Sequence, residues 1–191
     1  MKKIALLSML CLLIIGGTYA QEFPKADASP MDAAYFPPRA AFRGFAKTEE
    51  EKKAGTPKIR VIYSRPMKKG RNVFGELLKY GEMWRVGANE ATEITFLTDA
   101  TVGGKTIEAG RYTIYAIPSE SEWEVFFSSD LDGWGHYGFK KDESTVASIK
   151  VPTAKTSDTV ESLGIMFEAS DDGAYMIIGW DDTMVRVPIG L

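Results

Sequence analysis

The sequence predicts an all-β domain, an antiparallel two-sheet β-sandwich of jelly-roll or Ig-like kind with roughly nine strands. Three observations carry that expectation. From Lys58 to Leu191 apolar residues recur at every second position, the spacing that turns one face of a strand inward. Clusters of Gly, Pro and Asp break the alternation at short intervals, as turns do. Between those clusters no helical periodicity intervenes, and many short strands without helices argue for a sandwich or barrel.

The rows follow in order. Ile59, Val61 and Tyr63 alternate with Lys58, Arg60 and Ser64; Ile94 and Phe96 alternate with Glu93 and Thr95. Arg111 to Ile117 makes the next strand, ended by Pro118-Ser119, and Trp123, Val125 and Phe127 the one after it. Three later rows are Leu163, Ile165 and Phe167, then Met176, Ile178 and Trp180, then Val185, Val187 and Ile189, divided at Asp171-Asp172-Gly173 and Asp181-Asp182. Gly103-Gly104 has the form of a two-residue hairpin turn, where both central residues need positive φ.

Ahead of the domain lie two other segments. Lys2 and Lys3, the apolar run Ile4 to Ile15 and the small-residue stretch Gly16 to Ala20 have the order of a secretory signal, with cleavage expected after Ala20. The run falls short of the about 20 apolar residues that a membrane span needs, so no transmembrane anchor is expected in the mature chain. Cys11 as a lipid-bearing residue is disfavoured, because Ser8-Met9-Leu10 lacks the small residues expected before it. The expected location is therefore the periplasm or the medium. Residues 21–57 carry Pro24, Pro30, Pro37, Pro38 and Pro57 and read as an irregular Pro/Ala-rich lead-in without strand or long helix. One helical turn is expected from Thr48 to Ala54, where Thr48 and Glu51 stand in capping-box positions. The β domain then occupies residues 58–191.

Composition narrows the function. Two of the 23 basic residues leave with the leader while all 26 acids stay, so the mature protein is acidic and carries no basic patch for nucleic acid beyond the single turn Lys68, Lys69 and Arg71. Cys11 is the one cysteine, which removes disulfides, thiol nucleophiles and thiolate metal sites from the mature chain. His136 is the one histidine, so multi-histidine metal centres are excluded, and neither metal nor cofactor is expected.

Several patterns suggest chemistry, each subject to a condition. Gly133-Trp134-Gly135-His136-Tyr137-Gly138 has the glycines of a dinucleotide fingerprint, but no helix is expected after it and aromatic side chains crowd the approach. Asp130, Asp132 and Gly133 resemble part of a calcium loop, with the glycine misplaced and Lys141 at the twelfth position. A hydrolase would need Glu90 with Asp130 or Asp132 as a carboxylate pair, or Ser128 or Ser129 facing His136.

Tyr63-Ser64-Arg65-Pro66, Gly70-Arg71, Phe74-Gly75, Tyr80-Gly81, Trp84-Arg85 and Gly87-Ala88-Asn89-Glu90-Ala91-Thr92, followed by Gly103-Gly104, Ala109-Gly110-Arg111-Tyr112, Ile117-Pro118, Trp123 and Trp134-Gly135, form a series of motifs. Together they resemble DUF2911, a family of exported proteins of Gram-negative bacteria. The resemblance implies export and a single β domain; it assigns no activity, and the lead-in is longer than it implies.

The densest run of groups able to stack or hydrogen-bond a ligand is Trp84, Arg85, Asn89, Glu90 and Thr92, and the first four, where the alternation lapses, are expected to face it. An indole can stack on a sugar or aliphatic chain, a guanidinium can grip a carboxylate by two bonds, and an amide and a carboxylate can orient hydroxyls. Trp134, His136 and Tyr137 are expected as a second wall. The structural alternative is a core Trp84, an Arg85–Glu90 ion pair and Asn89 in a left-handed turn. The expected function is non-catalytic binding of a glycan, peptide or small acid, with a hydrolase and a structural or protein-interaction domain as rivals.

Overall fold

The computed structural model describes residues 22–191, so the expected leader lies outside the described residues. Its strands are β1 (Met31–Phe36), β2 (Ile59–Ser64), β3 (Thr92–Phe96), β4 (Ala100–Val102), β5 (Lys105–Ile107), β6 (Gly110–Pro118), β7 (Glu122–Ser128), β8 (Thr145–Ser170) and β9 (Gly173–Gly190). Short helices α1 (Glu49–Ala54) and α2 (Lys141–Ser144) and a 3-10 turn, Ala40–Phe45, complete it. The fold is nearly all β and antiparallel. Its nine strands form one open sheet, in the order β1-β2-β3-β6-β7-β8-β9-β4-β5, with β1 and β5 at the edges.

One sheet results where two were expected because β8 and β9 are continuous. β8 spans 26 residues, which at about 3.3 Å each would outrun a domain whose radius of gyration is about 15 Å, so the strand has to bend. It pairs with β7 from Thr145 to Pro152 and with β9 from Thr153 onward, and its register with β9 slips between Lys155 and Gly164. β9 likewise passes straight through Asp181-Asp182, which the sequence reads as a turn; Asp181 takes φ +58° there and bends the strand without ending it.

The coiling brings β2 against β8. Leu163 N–H donates to the Pro66 carbonyl (3.0 Å), Lys68 N–H to the Glu161 carbonyl (2.7 Å) and Ile165 N–H to the Tyr63 hydroxyl (3.0 Å). Inside lies one core containing the inward rows that the alternation picks out, among them Ile59, Val61, Ile94, Phe127, Leu163, Met176 and Val187. Trp123 is at its centre. Gly103 and Gly104 make the β4–β5 turn with φ +57° and +78°, the two positive values this hairpin type requires.

The lead-in holds a strand that its prolines argued against. Between Pro30 and Pro37 six residues run free of proline, enough for β1 to pair with β2 from Met31↔Ser64 to Phe36↔Ile59 as an edge strand, where prolines at the ends are tolerated. The expected turn of helix is α1. Thr48 Oγ1 accepts from Glu51 N–H (3.1 Å) and the Glu51 carboxylate accepts from Thr48 N–H (3.3 Å), closing the capping box. Among the described residues no helix is long and apolar enough to cross a membrane.

Candidate functional site

Between β2 and β3 the chain crosses one end of the sheet without regular structure, pinned by isolated bridges. At Trp84 the bridge is to Ala116: each N–H donates to the other's carbonyl at 2.8 Å. That pairing turns Trp84 inward and leaves its neighbour Arg85 facing out. Trp84 is 3% exposed, its Nε1–H donates to the Gly87 carbonyl (3.1 Å), and its ring lies edge-on to Trp123 and stacked on Trp180. It is a core residue and presents no face for a ligand to stack on.

After Arg85 the backbone turns sharply. Val86 sits at φ +55° and Asn89 at φ +59°. A β-branched residue in the left-handed region is strained, and strain of this kind persists only where its surroundings hold it. Here Val86 is buried and its carbonyl accepts from the Thr92 hydroxyl (2.7 Å). The turn delivers Asn89 and Glu90 to the Gly133–Gly138 loop. Ala91 N–H donates to the Gly133 carbonyl (2.9 Å) and Gly135 N–H to the Asn89 carbonyl (2.7 Å). Gly135 holds φ +76°, a backbone conformation in which any L side chain is strained.

The two expected walls are thus zipped together, with Arg85 at their junction. Its guanidinium carbon is 5.9 Å from the centroid of the Trp134 ring. Trp134 stacks on Tyr137 (6.1 Å, 24°), and Tyr137 lies against His136 (5.0 Å). Trp134 and Tyr137 are 61% and 75% exposed, so they form an open aromatic shelf. Arg85 and His136 also line a cleft of about 420 Å³ with Arg71, Lys79, Glu82 and the edge of Trp180. Arg85 Nε and His136 Nδ1 are both sealed from solvent, with no hydrogen-bond partner among the described residues. Burial, helped by the Arg85 charge and opposed by Glu82, holds the His136 imidazole below its usual pKa.

The expected Arg85–Glu90 ion pair is not among the salt bridges of the described residues. Glu90 is exposed and, with Asn89 and Trp134, lines a separate cleft of about 350 Å³ beside Asp27 and Ser29. Three of the groups named for a hydrolase have partners of their own. Ser128 Oγ bonds Ser144 Oγ (3.0 Å), Ser129 Oγ bonds the Ser144 carbonyl (3.3 Å) and Asp132 is paired with Arg111 (2.9 Å). After the glycine pattern only the four-residue α2 follows, one turn that offers no nucleotide-binding helix.

Lys79 and Glu82 are cleft residues the sequence did not single out, and Arg71 stood out only as part of a basic turn and of a family motif. They sit at no regular spacing, and their convergence depends on a loop held by distant strands. Lys68, in the basic turn, is paired with Asp181 on β9 (2.6 Å).

Residues 46–189 match the family model described as "Protein of unknown function (DUF2911)". The chain belongs to the DUF2911 family. The shared span includes every residue of the Arg85–His136 cluster and its aromatic shelf, while β1 and the 3-10 turn lie ahead of it. No curated protein and no solved structure matches the chain. The description of DUF2911 names no activity, so the chemistry of this cleft rests on its geometry.

Proposed function

We propose that this DUF2911 protein is an exported, non-catalytic binding module for a small carboxylate-bearing ligand, taken up at Arg85. One observation carries the reading. A partly buried guanidinium with a sealed, unpartnered Nε stands beside a sealed, unpartnered imidazole nitrogen at the wall of a cleft. The guanidinium makes no ion pair among the described residues, and a carboxylate that accepts from it by two charge-assisted bonds would supply one. Lys79 and Arg71 add positive charge against the single carboxylate of Glu82. The Trp134–Tyr137 shelf gives a planar or sugar-like body of the ligand a surface to stack on. We read the coiled sheet as a sandwich that presents this cleft at one end: β1, β2, β3, β6 and β7 make one layer and β9, β4 and β5 the other, with β8 shared.

Titration calorimetry against succinate, benzoate and glucuronate tests the assignment. Arg85→Ala is expected to weaken the best binder about 30-fold, the equivalent of about 2 kcal/mol for a charge-assisted bond. Its melting temperature is expected to hold or rise, since the substitution removes an unpartnered charge. Trp134→Ala is expected to cost about threefold in affinity, a cation–π-sized effect, with an unchanged melt. A loss of fold stability in Arg85→Ala with unaltered binding, or no binding by any acid, overturns the proposal.

The imidazole adds a pH dependence. Because folding lowers the pKa of His136, the unfolded chain binds more protons at pH values between the folded value and the ordinary one of about 6.5. The contribution of this group to stability is therefore present above that ordinary value and lost as pH falls through the window. Binding a carboxylate favours the charged imidazole, which raises the folded value toward the ordinary one, narrows the window and reduces the loss. Melts across pH 4.5 to 8 should show the slope, and His136→Gln should flatten it.

Export is the second part of the reading, supported by the order of Lys2-Lys3, Ile4 to Ile15 and Ala20. Mass spectrometry of protein recovered from the periplasm or medium is expected to show an N-terminus at Gln21. A mature chain that keeps Met1, or begins at a lipidated Cys11, contradicts it.

A further inference from the structure

A second cleft, of about 1230 Å³, lies between β1 with its 3-10 turn and the β8–β9 hairpin. It is separate from the Arg85 cleft and larger than small-ligand pockets usually are, about 300–1,000 Å³. Its floor has an unusual composition. Gly164 on β8 faces Gly179 on β9 across the ladder, both in mid-strand and neither with positive φ. A Cβ on Gly164 would meet nothing closer than 4.0 Å, and one on Gly179 would touch only Met184 Cβ at 3.7 Å. Glycine weakens a strand and here serves no turn, so its effect is to leave room above the sheet. The next pair, Met166↔Ile177, is apolar, and Met166 and Phe42 stay exposed within the cleft.

Polarity is graded along its length. It runs from Met166, Ile177 and Phe42 toward one end to Asp32 beside Arg65 (2.9 Å) at the other. The Arg65 end also receives the β8 segment Lys155, Thr156, Ser157, Asp158 and Thr159. Arg65 gives Nε–H to the Leu163 carbonyl (3.0 Å) and an Nη1–H to Asp32, and Lys155 gives one proton to Asp182 (2.7 Å). Of five guanidinium and three ammonium donors, most are left over. Asp158, the other acid there, accepts from Ser157 Oγ (3.1 Å). Both cations are already paired with carboxylates, so what the floor ends in is spare N–H donors and hydroxyls, a polar end to a long apolar groove that matches an amphiphile. An added peptide strand fits less well, because the β8 edge groups of Glu161, Leu163 and Ile165 already bond the β2 continuation.

We propose that this cleft binds a single-chain amphiphile, its tail laid over the Gly164–Gly179 pair toward Phe42 and its acidic head held at Arg65 and Lys155. The site goes beyond the carboxylate reading of the Arg85 cleft and is independent of it. Its β1 wall lies ahead of the DUF2911 span, so the family match covers only part of the site.

Fluorescence titration of the mature protein with 11-(dansylamino)undecanoic acid, below its micelle concentration, tests the site. Saturable one-to-one binding is expected, with displacement by dodecanoate or lauroyl lysophosphatidate; whichever competes better separates a free acid from a lipid phosphate head. Gly164→Leu, whose side chain would occupy the floor, and the surface substitution Met166→Arg are each expected to weaken binding about tenfold or more with the melt retained. Lys155→Gln should erase the preference for dodecanoate over dodecanol. Arg85→Ala should leave this binding unchanged, which separates failure here from failure of the carboxylate reading. Absent saturable binding, wild-type affinity in both Gly164→Leu and Met166→Arg, dodecanol competing as well as dodecanoate, or displacement by an extended apolar peptide but not by amphiphiles overturns the proposal.

Discussion

Trp123→Ala is expected to destabilise the domain by about 3–5 kcal/mol, the cost of emptying a large aromatic site in a core that relaxes only in part. Trp123 is fully buried, and its ring meets Phe74 at 5.0 Å and Trp84 at 5.7 Å. Trp84 in turn stacks on Trp180. Truncation would therefore open a void under the aromatic chain that carries the Arg85 loop. Trp123→Phe is the companion variant. Its Nε1 has no hydrogen-bond partner, so phenylalanine loses volume but also removes an unsatisfied donor, and the expected cost is about 1–2 kcal/mol. Urea denaturation at constant m-value reads both. A loss under about 1 kcal/mol for Trp123→Ala is incompatible with this core.

Breaking the Lys68–Asp181 pair is expected to cost about 3 kcal/mol from either side, far more than a surface ion pair. The two side chains are 17% and 14% exposed and 2.6 Å apart. Asp181 also accepts from the Val73 N–H (3.1 Å) and holds φ +58°, so it fastens the loop bearing Arg71, Lys79 and Glu82 to β9. Asp181→Ala strands the Lys68 charge, frees Val73 and puts an alanine in the left-handed region. Asp181→Asn keeps the acceptor and tolerates the backbone. The double variant Lys68→Met/Asp181→Asn removes both charges together, and a return to within about 1 kcal/mol of the parent is expected. Single variants that each cost under about 0.5 kcal/mol would class the pair with ordinary surface bridges. The Arg85 cleft should loosen with the loop, so carboxylate affinity is expected to fall in Asp181→Ala.

The inward faces were legible because a strand's period of two exposes its burial directly: Ile59, Val61, Ile94, Phe96, Trp123 and Ile178 all lie where the alternation puts them. The α1 capping box was legible because its partners are three residues apart. The candidate site was legible in part. Arg85, Trp134, His136 and Tyr137 do meet, since two short loops flank the paired residues Glu90 and Trp134. Trp84 was misplaced because an indole beside an arginine looks the same in sequence whether it faces out or in. The bridge to Ala116, more than thirty positions away, turns it in.

The sequence by itself determined strand composition, hairpin turns and cap, because these follow from steric and hydrogen-bonding rules that act over a few residues. Tertiary structure decided whether the strands part into separate sheets, since that depended on β8 bending at Lys155–Gly164 and β9 tolerating Asp181 at positive φ. It also decided that β1 forms on the edge left free by β2, that Lys68 is paired while Arg85 is not, and that Gly164 lies opposite Gly179. Each of those outcomes joins residues far apart in the chain, and register and loop closure, which place them, leave no local pattern behind.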